Sequence, residues 1–260
     1  MSPVVPSSGS PFSLRPLAWG GFYALVLAAW AGLFALSRSP VPGLSSPEFW
    51  ASLCIPATQA DPAVLFGMWA LMTAAMMLPT FVPALRVYGQ IGAVGASDVA
   101  GMAALVAGYA AVWLGFALGV TLAQVGLARA GAVAADGRAV PWATVVLLLA
   151  AGLYQFSPLK SACLSRCRQP LTFFLEHWRP GAATAFGMGA RLGAHCLGCC
   201  WMLMLLGFVG GTMNLAWMGA ATLFMTLEKL PDLGAYLTKP AGVALLVAGG
   251  VVALQTLHLF

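Results

Sequence analysis

Seven long runs of apolar residues, almost free of charged side chains, dominate this sequence. A run of about 20 such residues is long enough for an α-helix to cross the hydrocarbon core of a membrane. We therefore predict an all-α fold, a polytopic transmembrane helix bundle of six to seven spans, with seven favoured. The predicted spans are Leu17–Leu36, Ala63–Leu85, Val99–Leu127, Val140–Phe156, Ala182–Val209, Thr212–Leu227 and Pro240–Leu259.

The composition excludes other classes of protein. Only 7% of the 260 residues are charged and 61% are apolar, whereas soluble domains carry roughly 25% charged residues. A soluble enzyme, a secreted disulfide scaffold and a disordered chain are therefore excluded, and the unbroken apolar runs lack the alternation of a membrane β-barrel. We predict a disordered lead-in at 1–14 and a single transmembrane helical domain at 15–260, with a motif-bearing core at 63–230.

The basic residues lie between the apolar runs, so they predict orientation in the lipid bilayer rather than nucleic-acid binding. If the amino terminus and the even-numbered loops share one side, that side has eight basic residues and the other has three. We therefore expect a multi-pass protein of the cell (inner) membrane with a cytoplasmic amino terminus, an external carboxyl terminus and Cys54 outside. The eight are Arg15, Arg86, Lys160, Arg166, Arg168, Arg179, Lys229 and Lys239; the three are Arg38, Arg129 and Arg138.

A cluster of sulfur and imidazole groups lies in the fifth predicted span. Five of the six cysteines fall between positions 163 and 200. Three of them belong to the run His195-Cys196-Leu197-Gly198-Cys199-Cys200-Trp201, whose i, i+3 and i, i+4 spacings place side chains on neighbouring faces of one helix. Thiolates, thioethers and imidazoles are the ligands that soft metal ions prefer. We predict a metal site built from His195, Cys196, Cys199 and Cys200, with copper favoured and zinc next.

The second and sixth spans offer further groups for this site. Met76 and Met225 are candidate thioether ligands, although core packing explains a methionine as well. The apolar runs of spans five and six are joined at Gly210-Gly211, so we expect Arg191 and Glu228 to lie at similar depth and to pair. Asn214 is a further candidate for the surroundings of the metal.

Cys163 and Cys167 form a separate pair in a basic loop. Their spacing places both thiols on one face of a short helix, as accessory thiols to the main cluster. An entrance for the metal, a redox switch and simple interface packing all fit this spacing, and the sequence leaves the three open.

Motif residues recur along about two-thirds of the chain. They are Trp69-x-x-Met72-x-x-Ala75-Met76-Met77-x-Pro79, Tyr154-Gln155, Lys160, Cys163, Cys167, Pro170, Gly187, Cys196, Gly198-Cys199-Cys200-Trp201, Met204, Met213-Asn214, Trp217-Met218 and Glu228-Lys229. With these residues the chain resembles a bacterial family of predicted metal-binding integral membrane proteins of unassigned function. The resemblance implies a multi-pass membrane protein with a metal site and names neither the metal nor a reaction.

Metal transport or delivery is the leading functional hypothesis, because adaptable sulfur ligands suit capture and release. A metallochaperone or a membrane-embedded subunit would be its partner. One alternative is a membrane thiol–disulfide oxidoreductase that passes electron pairs between the two cysteine groups. Another is an accessory or assembly subunit of a larger membrane complex. No catalytic residue is assigned, and whether the chain is an enzyme stays open.

Overall fold

The computed structural model describes residues 14–38, 62–92, 99–134, 138–211 and 214–257. Helices occupy nearly all of these ranges, and one isolated β-bridge joins Val133 to Ala139. The predicted all-α helical bundle is therefore confirmed. The helices are α1 (Leu14–Arg38), α2 (Pro62–Gly92), α3 (Val99–Arg129), α4 (Pro141–Tyr154), α5 (Pro158–Arg168), α6 (Pro170–His177), α7 (Ala182–Leu205), α8 (Gly207–Gly210), α9 (Leu215–Glu228) and α10 (Pro231–Leu257).

Each of the seven predicted apolar runs corresponds to a helix among the described residues. Within the part of the chain that the structure describes, four helical stretches are long and apolar enough to cross a membrane, and the bent pair α4 and α5 is a candidate fifth. Helices α1 and α9 contribute shorter apolar segments. The predicted lead-in at 1–14, apart from Leu14, and the predicted loop around Cys54 lie outside the described residues.

Helices α3 and α7 approach each other closely, and two glycines allow it. A Cβ atom at Gly108 would overlap the backbone of Phe186, and one at Gly189 would overlap the carbonyl of Leu105. Small residues let helix backbones approach in this way, and such contacts are typical of helices packed in membranes. The close approach holds α7, which carries three cysteines, rigidly against α3.

Two prolines interrupt the hydrogen bonding of α2. Proline has no N–H, so Pro79 leaves the carbonyl of Ala75 without its helical partner. The Trp30 indole of α1 donates to that carbonyl at 2.9 Å. The freed carbonyl therefore ties α1 to α2.

The chain bends by 63° between α4 and α5. Ser157 begins α5 because its side chain accepts from the backbone N–H of Lys160 at 3.0 Å, and Pro158 follows at the first helical position. The sequence predicted a short helix for Cys163 and Cys167 within the basic segment after the fourth span, and α5 is that helix. It folds back onto α7, so that a Cβ atom at Gly198 would lie 2.6 Å from the Cys163 sulfur.

Candidate metal centre

Three cysteines of α7 bring their sulfur atoms together inside the bundle. The Sγ atoms of Cys196, Cys199 and Cys200 all lie within 4.8 Å of one another, and those of Cys199 and Cys200 are 3.2 Å apart. All three side chains are almost fully buried, with exposures between 0% and 3%. They are free thiols, so the site offers three sulfur donors at one point.

The position of this cluster follows from the buried stripe of α7. The buried positions recur every three to four residues, as expected for one face of a helix. Cys196, Cys199 and Cys200 continue this stripe from the amino-terminal half of the helix. The buried residues are Ala185, Met188, Gly189, Leu192, Gly193, Cys196, Cys199, Cys200, Leu203 and Met204.

A fourth sulfur comes from α5. The Sγ atom of Cys167 lies 4.0 Å from that of Cys199. Cys163, one turn earlier on α5, packs against Gly198. The Tyr154 hydroxyl at the end of α4 donates to the carbonyl of the same glycine. The bend after α4 therefore brings one of the two accessory thiols directly to the cluster.

Two polar groups contact the sulfur of Cys196. The Lys229 ammonium, at the end of α9, donates to it over 3.1 Å, and the Tyr109 hydroxyl of α3 lies 2.9 Å away. Lys229 also donates to the Thr80 hydroxyl at 2.7 Å. The thiolate is the form of cysteine that binds metals, and an ammonium at this distance offsets the negative charge that a buried thiolate brings.

A small cavity adjoins Cys196. Its volume is about 20 Å³, and its wall includes Cys167, Cys196, Tyr109, Thr80 and Lys229. Room for one water molecule requires about 10–15 Å³. The space beside these thiols therefore suits one small ion or one water molecule.

An ion pair is buried next to the cluster. Both carboxylate oxygens of Glu228 lie 2.9 Å from the Lys160 ammonium. The Arg168 guanidinium donates to the backbone carbonyl of Glu228 at 2.9 and 3.0 Å. These contacts fix α5, which carries Cys167, to the end of α9, which carries Lys229.

The predicted pair of Arg191 and Glu228 is wrong. Arg191 is exposed, and the carboxylate of Glu228 is occupied by Lys160. The physical reason is the stripe on α7, because Arg191 lies beside the buried face and not on it. The sequence argument compared only the depths of Arg191 and Glu228 on either side of the Gly210-Gly211 turn. It did not consider how α7 is rotated about its own axis.

His195 and Asn214 are not brought to the thiols. His195 is half-buried, its ring contacts Phe173 edge to face with centroids 6.2 Å apart, and it does not belong to the group of donor atoms within 4.8 Å that the described residues form. Asn214 is exposed, and its side chain accepts from the Trp217 N–H as the amino-terminal cap of α9. Asn214 is therefore a helix cap, and His195 lies outside the group of three sulfur donors.

Met76 and Met225 are both buried in the core. Their placement agrees with packing, and their role as thioether ligands stays a prediction.

The sequence interpretation did not identify Lys229, Tyr109 and Lys160 as site residues. Both lysines were counted as loop charges. One signal was present, because Lys160 and Glu228-Lys229 all belong to the resemblance. Tyr109 carried no such signal, because a single tyrosine in an apolar run is typical of packing.

Comparison with protein families gives one match. A family model described as PpoB2, copper chaperone, matches residues 66–252. This range covers most of the chain and contains every residue of the thiol centre. The comparison with curated proteins finds no match, and none of the solved structures matches the chain.

Proposed function

This chain belongs to the PpoB2 copper chaperone family, and we propose that it binds Cu(I) in its thiol centre and delivers it to an acceptor protein. The proposed ligands are Cys196, Cys199 and Cys200 of α7, with Cys167 of α5 as a fourth sulfur. Copper is the cargo in this proposal and not a resident cofactor.

The observation that carries the proposal is the meeting of the three α7 sulfurs within 4.8 Å inside the bundle. Buried cysteines often serve only as small apolar residues. Here, however, an ammonium and a phenol point at one of the sulfurs. Burying an ammonium and a hydroxyl group against a neutral thiol costs desolvation energy. A thiolate that binds a metal would interact favourably with both groups, so the arrangement fits a metal ligand.

The donor set favours a soft metal ion. Soft thiolates select Cu(I), Zn(II) and iron–sulfur clusters among common metals. Structural zinc takes four ligands in a tetrahedron, and four cysteines are one of its usual sets. The three sulfurs of α7, with Cys167 4.0 Å from Cys199, therefore fit either Cu(I) or zinc. The family description supports copper over zinc.

A position within a membrane agrees with this role. Among the described residues, four helical stretches are long and apolar enough to cross one, and the thiols lie on the buried stripe of α7. We propose a multi-pass protein of the inner membrane that exchanges copper with a metallochaperone or a membrane-embedded acceptor subunit.

Copper analysis of the purified full-length chain tests the proposal. After loading with Cu(I), we expect the chain to retain its copper in the presence of a Cu(I) chelator of moderate affinity. Cys199→Ser and Cys196→Ser should each lose most of it. Cys163→Ser is the matched control, because this thiol lies on the same helix as Cys167 and packs against Gly198; it should retain copper. Equal retention in Cys199→Ser and in the unmodified chain would refute the ligand assignment.

One distance favours a second candidate function. The sulfurs of Cys167 and Cys199 come from separate helices and lie 4.0 Å apart, so a small movement would allow a disulfide. Its formation would release two electrons and two protons to an acceptor such as a quinone. Mass analysis of the chain, alkylated before reduction, decides between the two: a Cys167–Cys199 disulfide in protein isolated without copper favours thiol–disulfide exchange.

A further inference from the structure

The small cavity beside Cys196 extends from the thiol centre toward the surface of the bundle. Its inner wall includes Tyr109 and Cys196, which are buried. Its outer wall includes Pro83 of α2, which is exposed, and Pro170 at the start of α6, which is half-buried. A protein that exchanges copper with the thiols would therefore approach the bundle where α2 lies beside the junction of α5 and α6.

Cys167 differs in position from the other three sulfurs of the thiol centre. It is half-buried, whereas the three cysteines of α7 are buried. It belongs to the wall of the cavity, and its Sγ atom lies 4.0 Å from that of Cys199. Cys167 is therefore the sulfur of the centre that an approaching protein would reach first.

The surface around this cavity is basic. Lys229 belongs to the cavity wall and is half-buried. Arg86 lies on α2 about one turn beyond Pro83, and Arg191 on α7 directly precedes the wall residue Leu192. Both arginines are exposed. We call the surface around Arg86, Arg191 and Lys229 the basic face.

The two described carboxylates near the basic face have basic partners of their own. Glu176 pairs with Arg166 at 2.7 Å, and Glu228 pairs with Lys160 at 2.9 Å. Arg168 donates to a backbone carbonyl, which carries no net charge, so the guanidinium adds to the positive charge. Among the side chains that the structure describes, this end of the bundle therefore has an excess of positive charge.

We propose that an acidic partner protein docks on the basic face and takes Cu(I) from the thiol centre through Cys167. The thiolates of α7 release the ion while Cys167 still holds it, a thiolate of the partner binds it, and the bond to Cys167 breaks last. Copper stays Cu(I), and each thiolate released gains the proton that a partner thiol gives up. This exchange rests on the proposed function, because it requires copper in the thiol centre.

Copper transfer to synthetic peptides tests the docking face. The peptides share one Cys-Gly-Gly-Cys segment and differ in its flanks, which are rich in glutamate, glutamine or lysine. With the copper-loaded full-length chain in nanodiscs of zwitterionic lipid, we expect transfer to the glutamate peptide about tenfold faster than to the lysine peptide, because opposite charges accelerate association. High salt should remove most of this difference. Equal rates at low salt would overturn the proposal, and would fit a face that binds anionic lipid headgroups.

Single charge variants locate the face. Arg86→Gln and Arg191→Gln should each reduce the preference for the glutamate peptide. Arg129→Gln is the matched control, because this exposed arginine lies roughly 30 Å along α3 from Tyr109. It should keep the full preference. An equal loss in Arg129→Gln would show that net charge governs the rates, and would overturn the assignment of the basic face.

Cys167→Ser tests the path of the ion. This variant should retain Cu(I) on the α7 thiols but transfer it to the glutamate peptide about tenfold more slowly, a change of about 1.4 kcal/mol in the barrier. Cys163→Ser, on the same helix, should transfer copper like the unmodified chain. An unchanged rate in Cys167→Ser would overturn the path, as would loss of its copper at an unchanged unfolding temperature.

Failure of the proposed function gives a different result. An unmodified chain that retains no Cu(I) after loading would refute the copper site itself, before any transfer is measured. A chain that retains Cu(I) and transfers it at one rate to all three peptides would refute only the acidic partner. The peptide comparison uses the unmodified chain, so it decides on the docking face even where Cys167→Ser fails to fold.

Discussion

The ammonium of Lys160 lies 2.9 Å from the carboxylate of Glu228, and both side chains are only 1% exposed. This pair connects α5 to the last residue of α9. Lys229, the next residue along the chain, donates to the sulfur of Cys196, and Cys167 on α5 lies beside Cys199. One buried ion pair therefore positions groups on two sides of the thiol centre.

Breaking this ion pair should destabilise the fold strongly. Lys160→Met leaves the carboxylate of Glu228 buried without its counter-charge, which costs about 3–5 kcal/mol in free energy of unfolding. The double variant with Glu228→Gln should recover part of that loss, because no uncompensated charge remains. Denaturant unfolding in mixed micelles, followed by tryptophan fluorescence, measures both values.

The exposed pair of Arg166 and Glu176 is the control for this prediction. Its side chains are 44% and 52% exposed and 2.7 Å apart, and exposed ion pairs contribute about 0–1 kcal/mol. Glu176→Gln should therefore have little effect. Similar losses for Lys160→Met and Glu176→Gln would contradict the buried position of the first pair.

Removing the charge of Lys229 should weaken copper binding without removing a ligand. We expect Lys229→Met to lower the Cu(I) affinity about 10–100-fold, as changes in groups around metal ligands typically do, while the amount bound at saturation stays the same. Lys229→Arg keeps the positive charge and should retain most of the affinity. Competition with a chromophoric Cu(I) chelator gives these affinities.

Lys239 provides a matched control for overall charge, because it is exposed on α10. Lys239→Met should bind copper like the unmodified chain. A comparable loss of affinity in Lys239→Met would mean that net charge, and not the contact with Cys196, governs binding.

Substitution of His195 should leave the copper site intact. Its ring packs on Phe173 and does not join the three sulfurs, so His195→Ala should retain the copper that Cys200→Ser loses. Elemental analysis of the two variants, prepared side by side, measures the difference. Parallel loss of copper in both would restore histidine to the ligand set.

Gly189 should tolerate no larger residue. Gly189→Ala places a methyl group against the carbonyl of Leu105 on α3, and overpacking of this kind costs about 1–3 kcal/mol of stability. Gly187, on the same helix, has open space at its Cβ position, so Gly187→Ala should be neutral or stabilising by about 0.5–1 kcal/mol. Gly189→Ala should therefore lower the unfolding temperature, whereas Gly187→Ala should leave it unchanged or raise it.

The helices and the three-cysteine core of the thiol cluster could be predicted from the sequence. Long apolar runs predict helices whatever their packing, because their residues have few alternatives in an apolar environment. Cys196, Cys199 and Cys200 come together through the geometry of one helix, so their spacing alone predicted the meeting of their sulfurs. Cys167 required the bend after Tyr154, which no spacing on a single helix predicts.

Partners on different helices could not be assigned from spacing. His195 was expected at the site because it shares a face with Cys199 at i, i+4. The buried stripe runs through Cys196, Cys199 and Cys200 and leaves His195 beside it, and the glycine contact with α3 sets this rotation of the helix. Lys160 and Lys229 were counted as loop charges because hydropathy does not show which lysine finds a buried partner.

Because the chain bends by 63° between α4 and α5, the four sulfurs of the thiol centre come from two helices in unequal numbers. Three of them lie on α7, whereas the fourth, that of Cys167, lies on α5. Only three residues, 155–157, join α5 to α4. A change in the angle between α4 and α5 would move Cys167 away from a bound ion. Three sulfurs would then face the ion instead of four, without any change in the shape of α7.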